Sequence, residues 1–227
     1  ALTLAMVEDM SAALGRWAGD DAVRHVVVRA SGDKAFCAGG DIRALYDWGR
    51  AKDPRVLRFF RGEYVLNTLI KCFPKPYVAL IDGIVMGGGV GVSVHGSHRV
   101  ASERLVFAMP ETGIGLFPDV GGTYFLPRLP GETGMYFGLT GERCRTGEAL
   151  HAGIARFPHV EISISCNDYT VVATFHPIFL CYFVGELNTR TTSRRSPGFQ
   201  LVQSSENCLF FVSGSCRQNH TSRTGIH

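Results

Sequence analysis

Residues Gly83–Gly96 read GIVMGGGVGVSVHG, and three consecutive glycines, Gly87, Gly88 and Gly89, stand in front of a run that otherwise has the pattern of a buried helix. Glycine costs about 1 kcal/mol against alanine inside a helix, so a triplet at a helix start calls for a special dihedral, a tight packing contact or a ligand atom resting on the main chain. The stretch before it, FPKPYVALIDG, carries two prolines that stop any helix, then a strand pattern from Tyr77 to Asp82. Short strand patterns follow at Arg99–Ala101 and Val106–Ala108.

A similar unit stands upstream. HVVVRA, from His25 to Ala30, reads as a buried β-branched strand, and the loop SGDKAFCAGGD leads into a helix from Ile42 to about Trp48. A longer amphipathic helix is expected from about Pro54 to Cys72. At the start, Met6, Met10, Leu14 and Trp17 fall on one helical face, with Thr3 as its N-cap. This alternation predicts an α/β domain whose functional loops lie where strands pass into helices.

The bulk properties agree with a globular enzyme or binding domain. The chain has 227 residues, 45% hydrophobic and 19% charged, enough for one substantial core. A net charge of +3 and sparse basic clusters such as Arg194-Arg195 argue against nucleic acid as a partner. Seven cysteines without any C-x-x-C spacing predict no zinc site and no dithiol redox pair. The apolar run TVVATFHPIFLCYFVG is shorter than the roughly 18 residues a membrane span needs and contains His176 and Pro177. No signal or transit pattern opens the sequence, so it leaves the compartment unread.

Composition changes near Phe157. Of 27 glycines, 23 precede that point, and beyond it there is one alanine, Ala173, and no lysine. The expected organisation is a catalytic unit over 1–157 and an atypical tail over 158–227, which has no clean period of two or 3.6. The tail reads either as a small β module or as sequence that is not the natural continuation of the domain, and its pattern favours the second.

Candidate chemistry gathers in two places. The loops at Ala38-Gly39-Gly40-Asp41 and Gly87-Gly88-Gly89 each offer main-chain N–H groups, and two of these on one carbonyl oxygen would form an oxyanion hole, in which one donor is worth roughly 3 kcal/mol. Neither loop has the Gly-Lys-Ser/Thr ending of a P-loop, and Val92 breaks the G-x-G-x-x-G spacing in the second. GVSVH lacks the final glycine of a hydrolase elbow, so Ser93 reads as a helix residue. The second place is FAMPETGIGLFPDVGGTYFLPRLPG, where Glu111 and Asp119 sit eight residues apart in apolar surroundings that raise carboxylate pKa values toward neutrality. Both also have a structural reading, Glu111 in a helix first turn after Pro110 and Asp119 as the cap of a helix starting near Val120. Cys37 reads as a buried filler, and His25, His95 and His98 as structural. Glu63 reads as the solvated side of its helix, paired with Arg58 or Lys71.

GDKAFCAGGDIRAL, KPYVALIDGIVMGGGVGVSVHG, RVASERLVFAMPETGIGLFPDVGGTYFLPRLPG and LTGERCRTGEALHAGIA together resemble the crotonase (enoyl-CoA hydratase/isomerase) superfamily, closest to its 3-hydroxyisobutyryl-CoA hydrolase branch, over about Ala1 to Ala155. The resemblance implies a crotonase-like ββα spiral, here without its first strand and without the C-terminal helical region, so that an open sheet edge and apolar surface are expected. It implies that Gly40 and Gly88 hold the thioester oxygen and that Ala38 lies against the CoA adenine. Hydratases of the superfamily carry a glutamate where this chain has Gly91, whereas Glu111 matches their second glutamate. In the hydrolase branch, Asp119 and Glu63 match further acidic residues, which gives Glu63 a site role the residue pattern alone did not. The implied activity is hydrolysis of an acyl-CoA thioester in valine breakdown, with no metal and no redox cofactor, CoA arriving as part of the substrate. An enoyl-CoA hydratase or isomerase, or an inactive relative, are the alternatives. The implied setting is mitochondrial in a eukaryote and cytoplasmic in a bacterium, a homo-oligomer is open, and the acyl group is not read.

Overall fold

The computed structural model describes residues 1–158 together with two strands, 199–203 and 208–213. The apolar run around His176 lies outside the described residues, as does most of the tail.

Helix α1, Leu4–Ala18, is capped by the Thr3 hydroxyl, which accepts from the Met6 N–H at 3.2 Å, and it buries Met6, Met10, Leu14 and Trp17 as the spacing predicts. The chain then repeats one unit. Strand β1, His25–Ala30, is followed by the three-residue β2, Ala35–Cys37, and by helices α2, Ile42–Arg50, and α3, Arg55–Lys71. Strand β3, Tyr77–Ile81, is followed by β4, Ile84–Met86, and by α4, Gly88–Val94. Strands β5, His98–Ala101, and β6, Val106–Ala108, open the next turn, which continues through a 3-10 turn at Pro110–Ile114.

The first strand of each pair joins one sheet and the second joins another. β1, β3, β5 and β8, Phe157–Pro158, run parallel in the larger sheet, while β2, β4 and β6 run parallel in the smaller one, closed by the antiparallel β7, Cys144–Arg145. Three short helices, α5 at Gly122–Phe125, α6 at Thr133–Thr140 and α7 at Thr146–His151, pack around the second sheet and the loops beyond it. The fold is the expected ββα spiral. What the sequence reading lacked are β2 and β4, whose three residues are too few to show a period.

The open edge expected beside β1 is not open. Strand β10, Cys208–Ser213, pairs antiparallel with β1 in register from His25 opposite Ser213 to Ala30 opposite Cys208, and β9, Phe199–Gln203, pairs with β10 at the outside. Main-chain pairing asks only for an extended segment with free N–H and C=O groups, which a segment of irregular pattern can supply. Exposed apolar side chains are present elsewhere, among them Leu57 on α3, Ile114, and Leu139 on α6.

A candidate active site between α3 and α4

The two glycine loops meet. A parallel bridge between Leu2 and Gly40 uses the Leu2 N–H on the Gly39 carbonyl at 2.8 Å and the Asp41 N–H on the Leu2 carbonyl at 3.0 Å. Gly40 therefore turns its own N–H away from Leu2, and among the described residues no main-chain carbonyl takes it. Gly88 is the first residue of α4, where N–H groups have no partner inside the helix. A Cβ on Gly88 would lie 2.5 Å from Glu63 Oε1 and 3.3 Å from the Gly40 nitrogen, so two main-chain donors and a carboxyl border one space that any side chain would fill. The triplet thus has separate reasons for its glycines: Gly87 has a positive φ of 48°, Gly88 approaches Glu63 and Gly40, and a Cβ on Gly89 would fall 2.1 Å from the Cys37 carbonyl oxygen.

Three carboxyl groups are buried around this space. Glu63 shares the inward face of α3 with Phe59, Leu66, Asn67 and Ile70. It is 2% exposed, which corrects the solvated reading; Arg58 pairs instead with Glu8, and the Lys71 ammonium lies over the Tyr124 ring. Burial, then the negative charges of Asp119 and Glu111, push the Glu63 carboxyl up to about 8. Glu111 sits in the first turn of the 3-10 segment after Pro110, and burial lifts it to about 7, opposed by its own main-chain N–H and aided by Asp119. Asp119 is raised by burial and pulled back by the Tyr64 phenol, which donates to its Oδ2 at 2.8 Å. None of the three has an arginine or lysine partner among the described ion pairs. With Glu63 raised to about 8 and Glu111 to about 7, these two carboxyls exchange protons near neutral pH, the property that general acid and base chemistry uses.

Asp119 does not cap a helix, so of its two readings from sequence the structural one falls. The cap position of α5 is Gly121, with φ of 82°, and Asp119 contributes only its main-chain carbonyl, which accepts from the Gly122 N–H at 2.6 Å. Its side chain is left for Tyr64. The next residue, Val120, holds φ at 43°, a costly conformation for a β-branched residue, of order 1–3 kcal/mol. His95 donates from Nε2 to the Val120 carbonyl at 2.8 Å and fixes this loop.

Ala38 is exposed in the loop two residues before Gly40, where an extended ligand could reach it. Cys37 is buried with its thiol 3.6 Å from the Gly39 carbonyl, and burial pushes its pKa up, which suits a filler. Ser93 lies inside α4 and donates to the Gly89 carbonyl at 2.9 Å, as a helix residue does. The reading from sequence passed over Tyr64 and Asn67. Tyr64 carries no signal in the chain, but Asn67 is a polar residue at i+4 from Glu63 and i+8 from Phe59, on the face that the apolar spacing of α3 marks as buried. Among the described residues no group of His, Cys, Asp or Glu is arranged to hold a metal ion, and no helix is long and apolar enough to cross a membrane.

Comparison with known proteins bears on this geometry. A family model described as enoyl-CoA hydratase/isomerase matches residues 1–162. The chain belongs to this family. Among the family's curated members, the mitochondrial 3-hydroxyisobutyryl-CoA hydrolase of Xenopus tropicalis is 59% identical over 155 residues, which are 68% of this chain and 40% of that protein. The Homo sapiens protein of the same name is 53% identical over the same shares. Among solved members, an enoyl-CoA hydratase from Rhodobacter sphaeroides 2.4.1 superposes with a TM-score of 0.68 at 49% identity, over 70% of this chain and 48% of that one. A carnitinyl-CoA dehydratase from Mycobacterium thermoresistibile gives 0.69 at 46% identity, over 70% and 47%. The chain thus spans about two fifths of the length of the curated relatives it matches.

Proposed function

We propose that the chain hydrolyses an acyl-CoA thioester, with 3-hydroxyisobutyryl-CoA as substrate and 3-hydroxyisobutyrate and CoA as products, and that residues 1–157 carry the reaction. The observation that carries this reading is the grouping of buried carboxyls of raised pKa with two unspent main-chain donors about Gly88. The names of the family members at 53–59% identity support the choice of substrate.

In the proposed reaction the N–H groups of Gly40 and Gly88 hold the carbonyl oxygen as negative charge develops on it. Glu111 attacks the thioester carbon, or takes a proton from the water that does. The carbon–sulfur bond breaks, the sulfur leaves as the CoA thiol with one proton, and the elements of water complete the acid. Asp119 and Glu63 position the substrate hydroxyl and the attacking water. Nothing in this sequence of steps requires a metal or a redox cofactor. Valine breakdown is the pathway that fits such a substrate, in mitochondria for a eukaryotic source.

Hydration of an enoyl-CoA is the second reading, favoured by the solved neighbours. The position at which hydratases carry a glutamate argues against it here: a Cβ on Gly91 would lie 2.7 Å from the Val120 Cβ and 2.8 Å from Asn67 Oδ1. The test of the proposed roles is Glu111→Gln assayed for thiol release. The expected loss is at least 100-fold in kcat, on the order of one general acid–base contribution, with substrate binding retained. Near-full turnover by the variant would remove Glu111 from the mechanism.

A further inference from the structure

At the end of α4 away from Gly88 lies a second cavity, of about 260 Å³, bounded by the last residues of α3, the start of β3, the turn after α4 and the residue before β8. The length of α4, about 10 Å at 1.5 Å per residue, separates it from the glycine loops. Lys71, Lys75, Arg99 and Arg156 line it together with His95 and Ser97, and no aspartate or glutamate does. None of the four cations has a carboxylate partner among the described ion pairs. Lys71 lies over the Tyr124 ring, and Lys75 donates to the main-chain carbonyls of Trp17 and Asp20, both at 2.6 Å. Arg99 donates to the carbonyls of Val94 at 2.6 Å and Gly153 at 3.2 Å, while its Nε is buried with no hydrogen-bond partner among the described residues.

These contacts account for part of the positive charge. Helices α1, α3 and α4 end beside the four side chains, and a helix C-terminus carries about half a negative elementary charge, so three ends offset less than half of it. The remainder is costly. Arg99 of β5 and Arg156 stand one position before the pair Val100–Phe157, with the Arg156 N–H on the Arg99 carbonyl at 3.1 Å, and like charges facing each other across paired strands repel. Burial first, and then the charge of Arg156, hold the Arg99 guanidinium down to about 10. A cavity that gathers four cations without a carboxylate is stabilised by an anion that arrives from outside. At about 30 Å³ per water, it has room for an ion of several non-hydrogen atoms. Two guanidinium forks and two ammonium groups on different sides suit an ion with two charges and oxygens in several directions, which describes a phosphate group and not a carboxylate, singly charged and planar. We propose that this cavity binds a phosphate dianion, free or carried on a nucleotide, at a site separate from the one at Gly88. The acyl-CoA reading can fail without touching it.

The test titrates sodium phosphate into the full chain by calorimetry and follows thermal unfolding, with sodium chloride at matched ionic strength as the blank. Phosphate should bind saturably and raise Tm beyond the chloride blank. Arg156 and Lys71 are exposed, so Arg156→Gln and Lys71→Gln should fold, which their Tm in chloride checks. Each is expected to weaken phosphate binding about tenfold, the order of one charge-assisted hydrogen bond, and the two together to abolish it. Arg143→Gln, which removes an exposed cation outside the cavity, should leave the affinity unchanged. No stabilisation beyond that of chloride overturns the proposal, and so does affinity that survives the double substitution. Equal weakening by Arg143→Gln also overturns it, since net charge alone would then explain the binding. Adenosine 3′,5′-bisphosphate, titrated in parallel, separates the two sources of the ligand. Binding tighter than that of phosphate, and lost in the double variant, puts a nucleotide phosphate in the cavity. Bisphosphate binding indifferent to both substitutions, beside phosphate binding that they abolish, makes the free ion the ligand.

Discussion

At the scale of single residues, burial raises the pKa of all three carboxyl groups of the site. Glu63 has a folded pKa of about 8, above its ordinary value of 4.5, so between those values the folded chain holds a proton the unfolded chain has released. Stability contributed by this group must therefore fall as pH rises through that window, by about 1.4 kcal/mol for each pKa unit of displacement before relaxation of the site reduces it. Glu63→Gln should melt higher than the wild type at pH 8–9 and gain little at pH 5, as thermal unfolding across pH can check. A second prediction concerns Tyr64, whose phenol holds Asp119 down against burial. Tyr64→Phe should raise Asp119 and move the acidic limb of kcat/KM to higher pH, whereas a purely structural tyrosine would leave the profile where it is. Glu111 and Asp119 were legible in the chain because both stand in an apolar, glycine- and proline-rich stretch. Glu63 was not legible from its own surroundings, since a charged residue on an amphipathic helix is exposed by default, and only its phase relative to Phe59, Leu66 and Ile70 betrays it.

At the scale of elements, the site is made by backbone approaches that exclude side chains. Gly88→Ala would set a methyl 2.5 Å from Glu63 Oε1 and 3.3 Å from the Gly40 nitrogen. A carboxyl can swing aside and a backbone nitrogen cannot, so this variant should fold but lose turnover by 100-fold or more, the order found for removing one oxyanion donor. Gly91→Glu should not confer hydration of crotonyl-CoA, because the Val120 Cβ stands 2.7 Å from where its own Cβ must sit; the variant is expected to melt below the wild type. The helices α1 and α3 and the strands β1 and β3 could be read because each is long enough to show its period. β2 and β4 could not, being three residues each and defined by partners distant in the chain. The alternative reading of Asp119 as a cap failed for a related reason: the helix it would cap begins at Gly122, behind a glycine in the left-handed region, and the aspartate is drawn instead to a tyrosine 55 residues away.

At the scale of the whole molecule, the larger sheet places β1 between β3 and the strand at 208–213. The composition break near Phe157 was plain in the sequence, but that a segment so far beyond it would pair with the first strand was not, because main-chain pairing leaves little trace in side-chain pattern. If this pairing protects β1, a chain ended after Pro158 should show faster amide exchange across His25–Ala30 and a lower Tm than the full chain; equal protection would mean that the hairpin adds nothing to the sheet. In the proposed reaction the buried carboxyls and the paired glycine loops work on a thioester and not on a double bond. Release of free CoA thiol from 3-hydroxyisobutyryl-CoA by the full chain, with hydration of crotonyl-CoA followed on the same folded sample, decides between the two. Steady thiol release without hydration is the predicted result. Hydration of crotonyl-CoA without thiol release would contradict it.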